Sequence, residues 1–221
     1  MSDALHGDHT PGLAHHFEDF EQQNESASLG MWAFLVTEVM FFGGLFLGYA
    51  LYRTDYPEAF AAASHELSVA WGAFNTVVLI GSSLTMALAV RAAQLGQPKS
   101  IVRYIVLTLL LGIGFLGVKS IEYAAKFEHH LIPGPHFLWG GEGGPQVELF
   151  FGFYFCMTGL HALHMLIGMA LMGVVVVRAR RGAYTPTNHI GVEMLGLYWH
   201  FVDLVWIFLF PMLYLIGRHA G

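Results

Sequence analysis

The stretch LFFGFYFCMTGLHALHMLIGMALMGVVVV, residues 149–177, decides the fold. It holds 29 residues without one formally charged side chain. About 20 helical residues cross the roughly 30 Å hydrocarbon core of a bilayer, so this run spans it and must tilt or project beyond it. A run of this length without polar alternation reads as a helix and excludes a spanning strand.

Working outward, four more runs are long enough to span. The sequence predicts an all-α integral membrane protein, a bundle of five transmembrane helices near 29–52, 69–93, 101–125, 147–177 and 192–217. These form one domain over 29–217, preceded by a polar tail over 1–28. The third run is the weakest, because Arg103 and Lys119 bracket its uncharged part. Composition agrees: 55% of the 221 residues are hydrophobic and only 12% are charged. The mean hydropathy is +0.54. These values belong to the membrane class.

Several classes fall away. Cys156 is the single cysteine, so no disulfide framework forms within the chain, and it reads as a small hydrophobe. Residues 1–29 contain no Lys or Arg and no apolar core of a signal peptide. The net charge of −6 and the lack of a basic groove exclude nucleic-acid binding. No nucleophile triad or phosphate-binding loop is present.

The distribution of Lys and Arg sets orientation. With the N-terminus inside, inner segments hold Arg91, Lys99, Arg103, Arg178, Arg180 and Arg181. Outer segments hold Arg53, Lys126 and Arg218. The expected topology is a multi-pass protein with a cytoplasmic N-terminus and its C-terminus outside. The segments between runs read as connections: a short loop at 53–68, a tight one at 94–100, and a longer one at 127–146 ordered by Phe137 and Trp139. In the tail, His6, His9, His15 and His16 read as a solvated segment or a metal-binding tract, and Phe17–Gln23 as a short amphipathic helix.

The most informative residue is Glu38. It sits nine residues into the apolar run Leu29–Tyr52, roughly 14 Å deep and close to the midplane. A carboxylate there needs a partner or a proton. His200 and Asp203 share one face of the fifth run at a similar depth, and His164 lies on the fourth. We expect Glu38 to pair with His164, and Asp203 to bond to His200 or an indole. Either a structural polar pair that fixes register or a proton-handling pair satisfies these residues. Lys119, Glu122 and Lys126 read as a plain helix salt bridge at the outer end of the third run. His161 and His164 form HxxH, yet no set of ligands for a di-iron, desaturase-type or haem centre is legible, and no metal site is expected.

Five segments then become specific: GMWAFLVTEVMFF (30–42), NTVVLIGSSLT (75–85), KSIEY (119–123), TGLHALHMLIG (158–168) and YWHFVDLVWIFLF (198–210). In this order, one per helix, they resemble subunit III of the haem–copper terminal oxidases, in its five-helix form. The resemblance covers roughly residues 29–217. It implies a non-catalytic core subunit of a proton-pumping oxygen reductase in aerobic electron transport from cytochrome c to oxygen. Such a subunit packs on subunit I, shares its complex with subunit II, holds phospholipid and supports proton uptake. Haem and copper belong to subunits I and II, and this chain binds no cofactor of its own. Glu38 matches the family's carbodiimide-reactive carboxylate, and His164 the histidine facing it. Trp199, His200, Phe201, Val202 and Asp203 match a shared stretch. Arg178, Arg180 and Arg181 fall where the family contacts lipid headgroups. The setting implied is a bacterial-type inner membrane, with membership of a larger respiratory assembly open. The longer members have two further helices and a lipid-filled cleft, part of whose wall this chain lacks. Alternatives are subunit III of a quinol oxidase, the related accessory subunit of a nitric oxide reductase, or a stand-alone proton-coupled transporter.

Overall fold

The computed structural model describes residues 19–215. The tail histidines, the start of the expected Phe17–Gln23 helix, residues 216–217 and Arg218 lie outside the described residues. Six α-helices follow in order: α1 (Phe20–Asp55), α2 (Pro57–His65), α3 (Val69–Gln94), α4 (Pro98–Glu128), α5 (Gly144–Arg180) and α6 (Ile190–Phe210). A π-helical turn, Pro211–Leu215, continues α6. Among the described residues five helices are long and apolar enough to cross a membrane, the fifth being α6 with its π turn.

The helices outrun the apolar stretches that announce them. α1 starts nine residues before Leu29, where the Asp19 carboxylate caps the Gln22 amide at 2.8 Å. Hydropathy marks the part of a helix that lies in lipid, whereas the backbone ladder continues into water. Segment 53–68 is not a simple loop. Pro57 starts α2, a position where a missing N–H costs nothing, and Phe60 and Ala63 bury the helix against the bundle. The connection from α3 to α4 is as tight as expected. Gly96 takes φ +64° there, and a Cβ on it would meet Pro186 at 2.8 Å.

α6 is the central element. Over its apolar window 56% is buried, against 17% for α1. It packs on α1, α3 and α5, while α4 closes the bundle against α3 and α5. Trp199, fully buried, wedges into α5 where a Cβ on Gly168 would come within 3.0 Å of the indole. Small residues permit this approach where lipid offers no hydrophobic drive between helices. α1 buries only a narrow seam, Leu35, Phe42 and Tyr49, spaced seven apart. At one end of the bundle the Gln94 side-chain amide donates to Glu193 at 2.9 Å, and His189 stands 3.1 Å from the same carboxylate. At the other, the 129–143 segment is ordered by its aromatics. Phe137 rests on Phe151, and the Trp139 indole donates to the Glu142 carbonyl at 3.1 Å.

Candidate functional site

Glu38 and His164 face each other across the α1–α5 boundary. His164 Nε2 stands 3.1 Å from Glu38 Oε2, and His164 Nδ1 is 2.8 Å from the Leu160 carbonyl of its own helix. A carbonyl only accepts, so Nδ1 carries a proton. Nε2 then either accepts from a protonated Glu38 or carries a second proton and donates to the carboxylate. In both arrangements the hydrogen bond holds one shared proton and the pair is neutral overall. This removes the cost of an isolated intramembrane charge. Supporting contacts fix the ring. Phe42 meets it edge-on at 5.4 Å between centroids, and the Tyr198 hydroxyl donates to the His164 carbonyl at 3.0 Å. The Glu38 side chain keeps 17% of its surface open and His164 keeps 14%.

His200 and Asp203 behave differently from expectation. His200 Nδ1 pairs with the Ser83 hydroxyl of α3 at 2.7 Å. Asp203 is 4% exposed, and among the described residues its carboxyl bonds neither to His200 nor to an indole. The hydroxyls of Ser82 and Ser83 are its hydrogen-bonding neighbours instead. Ser82 donates to the Leu79 carbonyl at 2.9 Å and accepts from the Trp199 indole at 3.1 Å. The Trp206 indole goes to Thr76. Sharing a helix face does not make a contact: His200 turns across to α3 while Asp203 points into the α3–α6 seam.

The Lys119–Glu122 pair is more than a helix salt bridge. Lys119 Nζ donates to Glu122 Oε2 at 2.9 Å, to the Tyr154 hydroxyl at 3.0 Å and to the Tyr214 hydroxyl at 2.9 Å. Tyr214 in turn donates to Glu122 at 2.7 Å. Lys126 leaves this group and donates to the Glu66 carbonyl between α2 and α3. Neighbouring His161 is buried between Phe115 and Trp206, and neither ring nitrogen has a hydrogen-bond partner. Spacing within one helix announced Lys119 and Glu122, but the two tyrosines come from α5 and the π turn.

Arg178, Arg180 and Arg181 are exposed at the end of α5. Arg178 borders a 240 Å³ cleft walled by Met31, Leu171, Val174 and Tyr198. Burial pushes the Tyr184 phenol at its rim above the ordinary value, and the Arg178 charge opposes that rise. No three His, Cys, Asp or Glu side chains converge to hold a metal ion among the described residues. His161 meets Phe115 in a T-shaped contact and Trp206 in a tilted one.

The family described as cytochrome c oxidase subunit III matches residues 146–218. Similarity to individual proteins runs further. A cytochrome c oxidase subunit 3 of Synechocystis sp. is 34% identical over 217 residues, covering 98% of this chain and 85% of the relative. One from Alkalihalophilus pseudofirmus is 31% identical over 95% of this chain and 96% of its own length. A cytochrome bo(3) ubiquinol oxidase subunit 3 of Pseudomonas putida is 31% identical over 86% of this chain and 85% of its own.

Proposed function

The chain belongs to the cytochrome c oxidase subunit III family, and on that premise we propose the part it plays in the complex. It is a multi-pass membrane subunit of a haem–copper oxidase in respiratory electron transport. It carries no catalytic centre. Residues 29–217 act as one transmembrane unit that packs on subunit I, in a complex that also holds subunit II, in a bacterial-type inner membrane. The N-terminus is cytoplasmic and the C-terminus outside. Haem and copper reside in those partners and supply the redox chemistry.

The contribution of this chain is lipid retention and support of proton uptake by subunit I. Arg178, Arg180 and Arg181 offer cations to lipid phosphates at the cytoplasmic surface. The Glu38–His164 pair holds a proton at mid-depth beside the thinly packed α1. The observation that carries the reading is the 34% identity extending over 98% of the chain. It includes the helices that bear both halves of the pair.

Cytochrome c is the proposed donor. A quinol oxidase is the second reading, because relatives named cytochrome bo(3) ubiquinol oxidase subunit 3 match at 31% and 28%. Mild-detergent purification through a tag on this chain, followed by an optical spectrum and peptide identification, tests both. Haem absorbance with a large multi-helix subunit is expected, together with a copper-bearing subunit II. Haem without that copper would select the quinol reading. A colourless chain purified alone from oxidase-containing membranes would overturn both.

A further inference from the structure

Ser83 of α3 stands between two titratable side chains of α6. Its hydroxyl meets His200 Nδ1 at 2.7 Å. On its other side lies the buried Asp203 carboxyl, whose hydrogen-bonding neighbours are Ser82 and Ser83. Ser83, His200 and Asp203 line one cavity of about 360 Å³. The two serines are not equivalent. Ser82 donates its proton to the Leu79 carbonyl at 2.9 Å and accepts from the Trp199 indole. Among the described residues no carbonyl claims the Ser83 proton, which is left for His200 or Asp203.

A hydroxyl has one proton to donate, so two arrangements satisfy this row. In the first, Ser83 donates to Nδ1 of a neutral His200, and a protonated Asp203 donates to Ser83. In the second, Nδ1–H donates to Ser83, and Ser83 donates to the Asp203 carboxylate. Between them the Asp203 O–H breaks as a new Ser83 O–H forms, and the former Ser83 proton passes to Nδ1. The imidazole becomes imidazolium, the carboxyl becomes carboxylate, and the total charge is unchanged. Loss of the Nε2 proton then releases one proton from the row, although Asp203 itself stays buried. His200 is only part-buried and also lines a second cleft of about 400 Å³, bordered by Ser28 of α1, Val90 of α3 and Glu193 of α6. Glu193 lies seven residues before His200, about two turns or roughly 10 Å along the helix, and is held by Gln94 and His189. No Lys or Arg lines this cleft, in contrast to the one that Arg178 borders, so it offers no cation to a lipid phosphate.

We infer that His200, Ser83 and Asp203 form a second proton-holding site, in which imidazole and carboxyl share a proton through the serine hydroxyl and exchange it with water in the α1–α3–α6 cleft. The first arrangement places no formal charge in the hydrocarbon and is the resting form. The site lies on the α3 side of α6, away from the α1–α5 boundary that carries Glu38 and His164. The inference rests on the proposed orientation only in naming the cytoplasmic end as the source of protons.

Infrared spectroscopy of the purified oxidase, transferred from H2O to D2O, provides the test. The carboxylic C=O band of Asp203 is identified by its loss in Asp203→Asn, or by its displacement in Asp203→Glu should the amide variant not assemble. Absence of any such band would mean that Asp203 is ionised at rest, and would overturn the inference. The rate at which deuterium reaches this carboxyl then reads the relay. Ser83→Ala should slow it by at least about tenfold, since a positioned proton-transfer group is removed. Ser83→Thr, which keeps the hydroxyl, should stay within about threefold of wild type. His200→Gln cuts the row at its other end and should slow deuteration as Ser83→Ala does. Ser82→Ala should have little effect, because the Ser82 proton is held by Leu79. Ala87 is exposed and lines both cavities, so Ala87→Phe should obstruct the cleft and slow deuteration with the band in place. Wild-type rates in Ser83→Ala or in Ala87→Phe, or equal slowing by Ser82→Ala, would overturn the proposal. Those results would leave the oxidase reading standing. A colourless chain purified without oxidase subunits would remove that reading alone, since the relay lies wholly within this chain.

Discussion

Among the described residues, two acid–base pairs on the spanning helices are built in opposite ways. Lys119 and Glu122 sit on one helix, and their side chains are each 6% exposed. An ammonium has three donors, and Lys119 uses all three on Glu122, Tyr154 and Tyr214. Glu38 and His164 are 126 residues apart, on α1 and α5, and are joined by one hydrogen bond with part of each side chain left open. The first arrangement is saturated. Nothing can enter or leave it without exposing a bare charge, so it locks α4 to α5 and the π turn. The second holds a single proton between two groups that can each carry it. It lies where the least buried spanning helix meets the bundle, which is the access that the proposed proton-handling role requires. A buried ion pair alone therefore does not mark function.

The largest expected effect lies in the saturated cluster. Lys119→Met leaves Glu122 without its cation, and removal of one partner of a buried pair costs about 3–5 kcal/mol. Thermal unfolding of the purified oxidase should show an early loss of this subunit. A loss below about 1 kcal/mol would mean that the cluster is hydrated and the contrast false. Tyr214→Phe removes one hydroxyl that both donates and accepts, and should cost about 1–3 kcal/mol by the same measurement. Its effect should shrink when Lys119 is already methionine, because the two residues share a network.

The open pair should reveal itself by reactivity. A hydrophobic carbodiimide takes the proton of a carboxyl that it can reach, and the carboxylate oxygen then adds to its central carbon. Glu38 should be labelled at least about tenfold faster than Glu122, as read by peptide mass spectrometry. Equal labelling would erase the distinction between the two sites. The smallest effect is expected from Glu38→Gln. The amide still donates to His164 Nε2, so stability should change by less than about 1 kcal/mol. Oxygen reduction should slow only mildly. Complete loss of turnover would contradict a non-catalytic role for this chain.

The same contrast explains what could be read in advance. Lys119 and Glu122 were legible as a pair because they lie three apart on one helix. Their closure by Tyr154 and Tyr214 was not, because those hydroxyls arrive from positions 35 and 95 residues away. Glu38 and His164 drew attention by depth in apolar runs. Asp203 was equally conspicuous, but its nearest neighbour on the face, His200, is held by Ser83 instead. α2 escaped notice because nine residues rich in alanine carry too little pattern beside runs of more than 20 apolar residues.

The sequence by itself determined the membrane class, the five spans and which residues had to find partners. Continuous apolar runs leave a backbone no other means of satisfying its polar groups in lipid, and ionisable side chains within them are conspicuous for the same reason. The tertiary structure alone decided which partners they found. It placed α6 at the centre, closed the Lys119 cluster, left a small part of the Glu38–His164 pair open and set Asp203 in the α3–α6 seam. Those outcomes depend on helix rotation and separation. Rotation and separation are set by how side chains from distant parts of the chain interdigitate, and no periodicity within one helix encodes that.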